Sequence, residues 1–226
     1  MSGKLYIVST PIGNLKDITL RAIETLNEVD FILCEDTRIT SILLKHYNII
    51  KHLISFNAVS EIKKIHIVIE RLQQGQSYAL VSDSGTPAIS DPGIRLVSEA
   101  IKNDIEVISI PGATALIAAL TISGLPTDSF VFEGFLPQKK GRQKKLGKLS
   151  EEERTIVLYE SSHRIEKLID ELVLFFPERF VVICRELTKK FEETWRGYPV
   201  ELKSMISQRT IKGEFVVVVA SKDWKN

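Results

Sequence analysis

Four short segments hold the residue types that could do chemistry. Glu35-Asp36-Thr37-Arg38 sets two carboxylates beside a guanidinium. A carboxylate held close to a hydroxyl can take its proton, and one held close to a cation can neutralise it. As a solvated turn with a local ion pair, the same four residues would contribute little. Their place at a strand end, on the face where ligands bind in sheets of this kind, favours substrate positioning. Ser82 to Gly93 (SDSGTPAISDPG) is a twelve-residue polar loop that follows a buried strand and leads into a helix. Strand-to-helix loops usually run to about 2–6 residues, so this one has more chain than a connection needs. Asp83 stands at its start, and two prolines and two glycines fix its path. Ser109 to Ala115 (SIPGATA) is a run of small residues that lets backbone come close to a ligand, or simply lets a helix pack tightly. Tyr159-Glu160-Ser161-Ser162-His163-Arg164 is the matching strand-to-helix turn of the second half, where Ser162 is placed to cap the following helix.

A fifth segment carries charge rather than catalytic types. Residues 137–148 hold six basic side chains and no acid: Lys139, Lys140, Arg142, Lys144, Lys145 and Lys148. Glycines give the run mobility, and it reads as a flexible loop suited to phosphate contacts. The ordinary alternative is a solvated loop beside Glu151-Glu152-Glu153.

Several chemistries lack their residues. The turn after the first strand, Ser9 to Asn14, has a single glycine, so it is neither a dinucleotide fingerprint nor a Walker loop. That argues against nicotinamide oxidoreductases and P-loop enzymes, and leaves room for a nucleoside ligand without phosphates. His46, His52, His66 and His163 show no metal spacing, and Cys34 and Cys184 cannot build a structural zinc site or a disulfide framework, so no metal is expected.

The elements that must hold these loops follow from apolar periodicity. Strands are predicted over 5–9, 31–34, 53–56, 78–82 and 105–110, with helices over 18–29, 42–47, 62–72, 94–101 and 113–123. Continuous apolar strands alternating with helices mean a parallel sheet covered on both faces, with ligands at the carboxyl ends of the strands. Leu125-Pro126-Thr127-Asp128 reads as a link, giving domains 1–124 and 125–226. The second half is richer in strands (130–132, 155–159, 180–184, 194–198, 215–220), with helices over 165–175 and 200–208, which predicts a mixed sheet. The fold class is therefore α/β in two domains.

The 226 residues are 44% hydrophobic and 26% charged, with net charge +1. That composition is globular, and no global field draws the chain to nucleic acid or membrane. Lacking an apolar run of spanning length or a signal-peptide pattern, the chain is expected to be cytoplasmic.

In order, LYIVSTPIGNLKDITLRA, CEDTR, LVSDSGTPAISDPG, SIPGATALIAAL, FEGFLPQKKGRQKK, YESSHR and KGEFVVVV resemble the tetrapyrrole-methylase fold, the class III S-adenosylmethionine-dependent methyltransferases. Within it they are most similar to bacterial enzymes that methylate a cytidine ribose 2′-oxygen in the decoding region of small-subunit ribosomal RNA. The resemblance runs from Leu5 to about Ala220. It implies two α/β domains with S-adenosylmethionine in a cleft between them, a homodimer, and small-subunit rRNA as partner, in an assembled particle or free. Carried over by position, the cofactor residues are Pro11, Ile12, Asp83, Gly85, Thr86, Thr114, Ala115, Tyr159, Glu160, Gly213 and Glu214. The RNA side takes Arg38, Lys139, Lys140, Arg142, Lys144, Lys145 and Arg164. Candidates for the proton acceptor are Glu35, Asp36, Glu160 and His163, among which residue type does not choose. Many members continue into a short C-terminal module that helps hold RNA, whereas this sequence ends at Asn226, soon after the last predicted strand. The competing readings are methylation of a small tetrapyrrole, which needs a wide apolar cleft, and a catalytically silent RNA-binding protein of the same fold.

Overall fold

The computed structural model describes residues 2–207, 209 and 211–225. Contacts divide the chain into two compact units, Met1–Thr114 and Ala115–Asn226.

The first unit has five strands: β1 (Lys4–Val8), β2 (Phe31–Cys34), β3 (His52–Ser55), β4 (Tyr78–Leu80) and β5 (Glu106–Ile110). They lie in the order β3-β2-β4-β1-β5, every neighbouring pair parallel. Helices α1 (Leu20–Glu28), α2 (Thr37–His46), α3 (Glu61–Gln73) and α4 (Ile94–Lys102) connect them. The continuous apolar strands are explained by burial on both faces. Leu33 of β2, with Tyr78 and Leu80 of β4, joins a core containing Ile69 and Leu72 of α3 and Leu96 of α4. Ile32, Cys34 and Ala79, one residue out of phase, join the opposite core with Ala22 and Leu26 of α1 and Leu44 of α2. Because successive side chains of a strand point to opposite faces, each strand needs apolar residues at every position. Parallel pairing also brings all five carboxyl ends to one edge.

The second unit contains α5 (Ala115–Ser123), β6 (Phe130–Phe135), α6 (Arg142–Ser150), β7 (Thr155–Ser161), α7 (Ile165–Phe175), β8 (Val181–Arg185), β9 (Glu193–Gly197), α8 (Pro199–Ile206) and β10 (Glu214–Val219). Its sheet runs β6-β7-β10-β8-β9, with β6 and β7 parallel and the other pairs antiparallel. Ile156, Leu158, Val217 and Val219 pack on Leu168, Ile169 and Leu172 of α7.

Four expectations need correction. The chain changes unit before α5, not at the 125–128 link, because α5 packs against β7 and β10. Residues 142–150 are helix α6 rather than a mobile loop, because Leu146 and Leu149 sink into the second core and hold that turn of chain. Ser162 lies in the turn before α7, and Arg164 takes the cap position with no side-chain cap bond. The helix expected over 200–208 runs Pro199–Ile206, and Gln208 lies outside the described residues. Among the described residues no helix is long and apolar enough to cross a membrane.

Candidate active site

At the carboxyl edge of the parallel sheet, three loops distant in sequence are hydrogen-bonded together. The Thr10 N–H donates to Gly85 O at 2.8 Å, and its hydroxyl lies 3.2 Å from Ser82 O and 3.3 Å from Gly85 O. Thr86 Oγ1 donates to Ala113 O at 3.2 Å and lies 2.8 Å from Ser9 Oγ. A hydroxyl has one hydrogen, so with Thr86 donating to Ala113 the Ser9 hydroxyl is the donor in the second bond. Gly85 has φ +83°, and a Cβ on it would stand 3.3 Å from Ile12 Cγ2. A side chain at this position would therefore meet both backbone strain and a packed neighbour. Pro11 and Ile12 are buried here, and Thr114 is half-buried. Six expected cofactor residues, Pro11, Ile12, Asp83, Gly85, Thr86 and Thr114, thus come from loops at one end of one sheet.

The carboxylates at this edge differ sharply. Asp36 caps α2, accepting the Arg38 N–H at 2.8 Å and the Arg38 Nη2 at 2.6 Å. That guanidinium holds the Asp36 carboxyl down to about 2. Glu35, one residue earlier and half-buried, is pushed up to about 7 by burial and by the charges of Asp91 and Asp83, against a hydrogen bond from the Asp83 backbone. Asp91 is raised to about 6 by burial, against a hydrogen bond from Ser82, with the charge of Asp83 adding to the rise. Asp83 is raised by burial although it accepts the Asp36 N–H at 3.0 Å. Ala88 and Ser90 in the same loop hold left-handed φ values of 67° and 65°. Non-glycine residues in that region cost about 1–3 kcal/mol each and cluster at functional sites.

In the second unit, carboxylates meet guanidiniums instead. Glu160 is 1% exposed. Its Oε1 pairs with Arg164 Nε at 2.8 Å and its Oε2 with Arg142 Nη2 at 3.4 Å. Arg142 Nε also reaches both Glu171 oxygens, at 3.0 and 2.8 Å, and Gln143 Nε2 donates to Glu171 Oε1 at 3.1 Å. One expectation fails for a physical reason. Arg142, 2% exposed, is spent on this buried chain and does not present itself to RNA. Glu160 is buried between two guanidiniums. Arg164, a candidate RNA contact, is half-buried and also donates to Leu136 O at 3.2 Å.

The remaining candidates divide. Lys139, Lys140 and Lys144 are exposed, while Lys145 pairs with Glu133 at 2.5 Å. Arg38 is exposed and paired with Asp36. His163 is exposed in the turn before α7. The Tyr159 hydroxyl accepts the Leu116 N–H at 3.1 Å, and half-buried Ala115 begins α5. Gly213 packs against Glu186, where a Cβ would come to 2.5 Å, and Glu214 pairs with Lys189 at 2.8 Å. Ser9, Thr10, Asp91 and Glu171 were not singled out from sequence. Asp91 carried a signal, a second carboxylate followed by Pro92-Gly93 in the loop of Asp83. Glu171 carried another, a charge within the otherwise apolar stripe Ile165, Leu168, Ile169 and Leu172.

With this geometry, comparison with known proteins is informative. The tetrapyrrole (corrin/porphyrin) methylase family matches residues 4–202. Ribosomal RNA small subunit methyltransferase I of Halalkalibacterium halodurans is 50% identical over 218 residues, covering 96% of this chain and 75% of that protein. The protein of the same name from Thermotoga maritima is 46% identical over 221 residues, covering 98% of this chain and 100% of that one. A solved uroporphyrin-III C-methyltransferase from Thermus thermophilus, complexed with S-adenosyl homocysteine, has TM-score 0.67 at 16% identity and covers 96% of this chain and 97% of its own. That likeness establishes the shared fold. The chain belongs to the tetrapyrrole methylase family, the class III S-adenosylmethionine-dependent methyltransferases. Within it the chain sits with the proteins named ribosomal RNA small subunit methyltransferase I.

Proposed function

We propose that this protein methylates a cytidine ribose 2′-oxygen in the decoding region of small-subunit ribosomal RNA, in the cytoplasm. The observation that carries the reading is Glu35, a half-buried carboxylate with its pKa near 7 at the carboxyl edge of the parallel sheet. A ribose hydroxyl is a weak nucleophile and needs a proton acceptor as it attacks carbon, and such an acceptor works best when its pKa lies near the working pH. Glu35 has that property. Asp36 is held too acidic by Arg38, and Glu160 is enclosed by guanidiniums.

The residues of this edge also fit S-adenosylmethionine, which supplies an electrophilic methyl group on a positively charged sulfur. It has no phosphate, and the edge has no phosphate-binding loop. Its cation suits Glu35, Asp83 and Asp91, three carboxylates raised by burial and by neighbouring negative charge. We assign Pro11, Ile12, Asp83, Gly85, Thr86 and Thr114 to hold the donor and Glu35 to receive the proton. Fixing nucleophile, methyl and sulfur in line can supply about 7–11 kcal/mol of the acceleration. The RNA reading is supported by the relatives' names and by the exposed Lys139 and Lys140 before α6 and Lys144 on it. Such lysines contact phosphates with an affinity that falls with salt.

The test is to map 2′-O-methyl groups on small-subunit rRNA, free and in 30S particles, after incubation with donor and with or without the protein. One new cytidine 2′-O-methyl group in the decoding region is expected. Methylation on a base, or none on either substrate, overturns the reading.

A further inference from the structure

Phe135 ends β6, the edge strand next to β7. A strict two-residue alternation would send Phe132 and Phe135 to opposite faces. The register shifts between Phe132 and Gly134, and the irregularity re-aims the end of the strand. As a result both rings meet Tyr159 edge-on, Phe132 at 4.9 Å and 69°, Phe135 at 5.7 Å and 64°. Phe132 is half-buried, but Phe135 remains 52% exposed although Leu136 beside it is buried.

The exposed ring is nonetheless held. The Arg164 guanidinium carbon lies 5.6 Å from its centroid. Arg164 is itself fixed by Glu160 Oε1, Ser161 Oγ and Leu136 O. The buried chain from Glu171 through Arg142 to Glu160 therefore ends under a solvent-facing aromatic. Exposed Lys139 and Lys140 follow within a few residues, and Lys144 stands on α6. A single exposed apolar residue is ordinary. An immobilised ring with a guanidinium against it and lysines beside it has the make-up of a single-strand platform, where a base stacks on the aromatic and phosphates meet the cations.

We propose that Phe135 is the stacking platform for one unpaired base of the RNA substrate, with Lys139, Lys140 and Lys144 on the adjoining phosphates. This deepens the reading above and rests on RNA being the substrate.

The experiment measures binding of a small-subunit rRNA transcript across a salt series, and of S-adenosyl homocysteine by calorimetry, for wild type, Phe135→Leu and Phe135→Trp. Base stacking on an aromatic corresponds to about a 5- to 150-fold change in affinity. Phe135→Leu is expected to weaken transcript binding by that much with the salt slope unchanged, since no phosphate contact is lost. Phe135→Trp should stay within about threefold of wild type, because the π face is restored. S-adenosyl homocysteine binding should be the same in all three. Equal transcript binding by Phe135→Leu, failure of Phe135→Trp to restore it, or a parallel loss of S-adenosyl homocysteine binding would overturn the platform. A wild-type protein that does not bind the transcript overturns the rRNA reading itself, a separately visible result.

Discussion

The two units treat buried carboxylates in opposite ways. In the mixed-sheet unit, Glu160 and Glu171 are met by Arg142 and Arg164, so the negative charges are balanced within the protein. In the parallel-sheet unit, Glu35, Asp83 and Asp91 crowd one another, and the nearby Arg38 is taken up by Asp36. Balanced charge produces rigid architecture. Crowded charge of one sign leaves a site that a cation or a proton stabilises. Perturbed carboxylates of the second kind are where chemistry is to be sought.

The strongest test of that contrast is Glu35→Gln. It keeps the shape and removes the proton acceptor, so kcat should fall by about 10²–10⁴-fold. The limb of the pH–rate profile near 7 should vanish, with the affinity for S-adenosyl homocysteine, which has no sulfonium, little changed. Steady-state kinetics across pH checks both. If Glu160→Gln gave the larger loss with its fold intact, the assignment would reverse.

Next in size is Arg142→Ala, which leaves Glu160 and Glu171 buried without their shared cation. Breaking a buried pair in this way costs about 3–5 kcal/mol. Urea unfolding should show it, whereas removing the exposed Arg38 side chain should leave the urea midpoint close to that of the wild type.

Replacing Lys139, Lys140 and Lys144 by Ala should lower the slope of log K against log salt for rRNA by about 0.7–0.9 per lysine, with S-adenosyl homocysteine binding retained. Lys145→Ala should change the slope less, because its charge is paired with Glu133.

The smallest expected effect is on pH linkage. Glu35 near 7 and Asp91 near 6 lie above their ordinary values of 4.5 and 3.8, so the native state holds protons that the unfolded chain releases. The stability these groups contribute is complete below about pH 4 and is lost as pH rises toward 7. Glu35→Gln should flatten that decline in a thermal-melt series. A bound cation favours the ionised carboxylates, so S-adenosylmethionine should bind about tenfold tighter at pH 7.5 than at pH 5.5. S-adenosyl homocysteine, lacking the sulfonium, should show less of this trend.

Much of the parallel-sheet unit was legible because both faces of its strands are buried and neighbouring elements follow one another in sequence. The loops Ser9–Asn14, Glu35–Arg38 and Ser82–Gly93 could be placed at the strand ends for the same reason. The basic run 137–148 misled, because its charges hid Leu146 and Leu149, the two anchors that make it a helix. Its Arg142 resembled its neighbours in sequence, yet helical geometry turned it inward to Glu171. The link at 125–128 showed where the chain bends but not which core α5 would join.

Residue order by itself determined the alternation of elements, the double-faced burial of the first sheet and the set of polar loops at its edge, since these depend on local periodicity and chain connectivity. Only the tertiary structure decided that Glu35 faces like charges while Glu160 faces guanidiniums. Whether a carboxylate is an acid, a base or a strut depends on which charges lie within a few ångströms and how much water remains, and those neighbours come from distant parts of the chain.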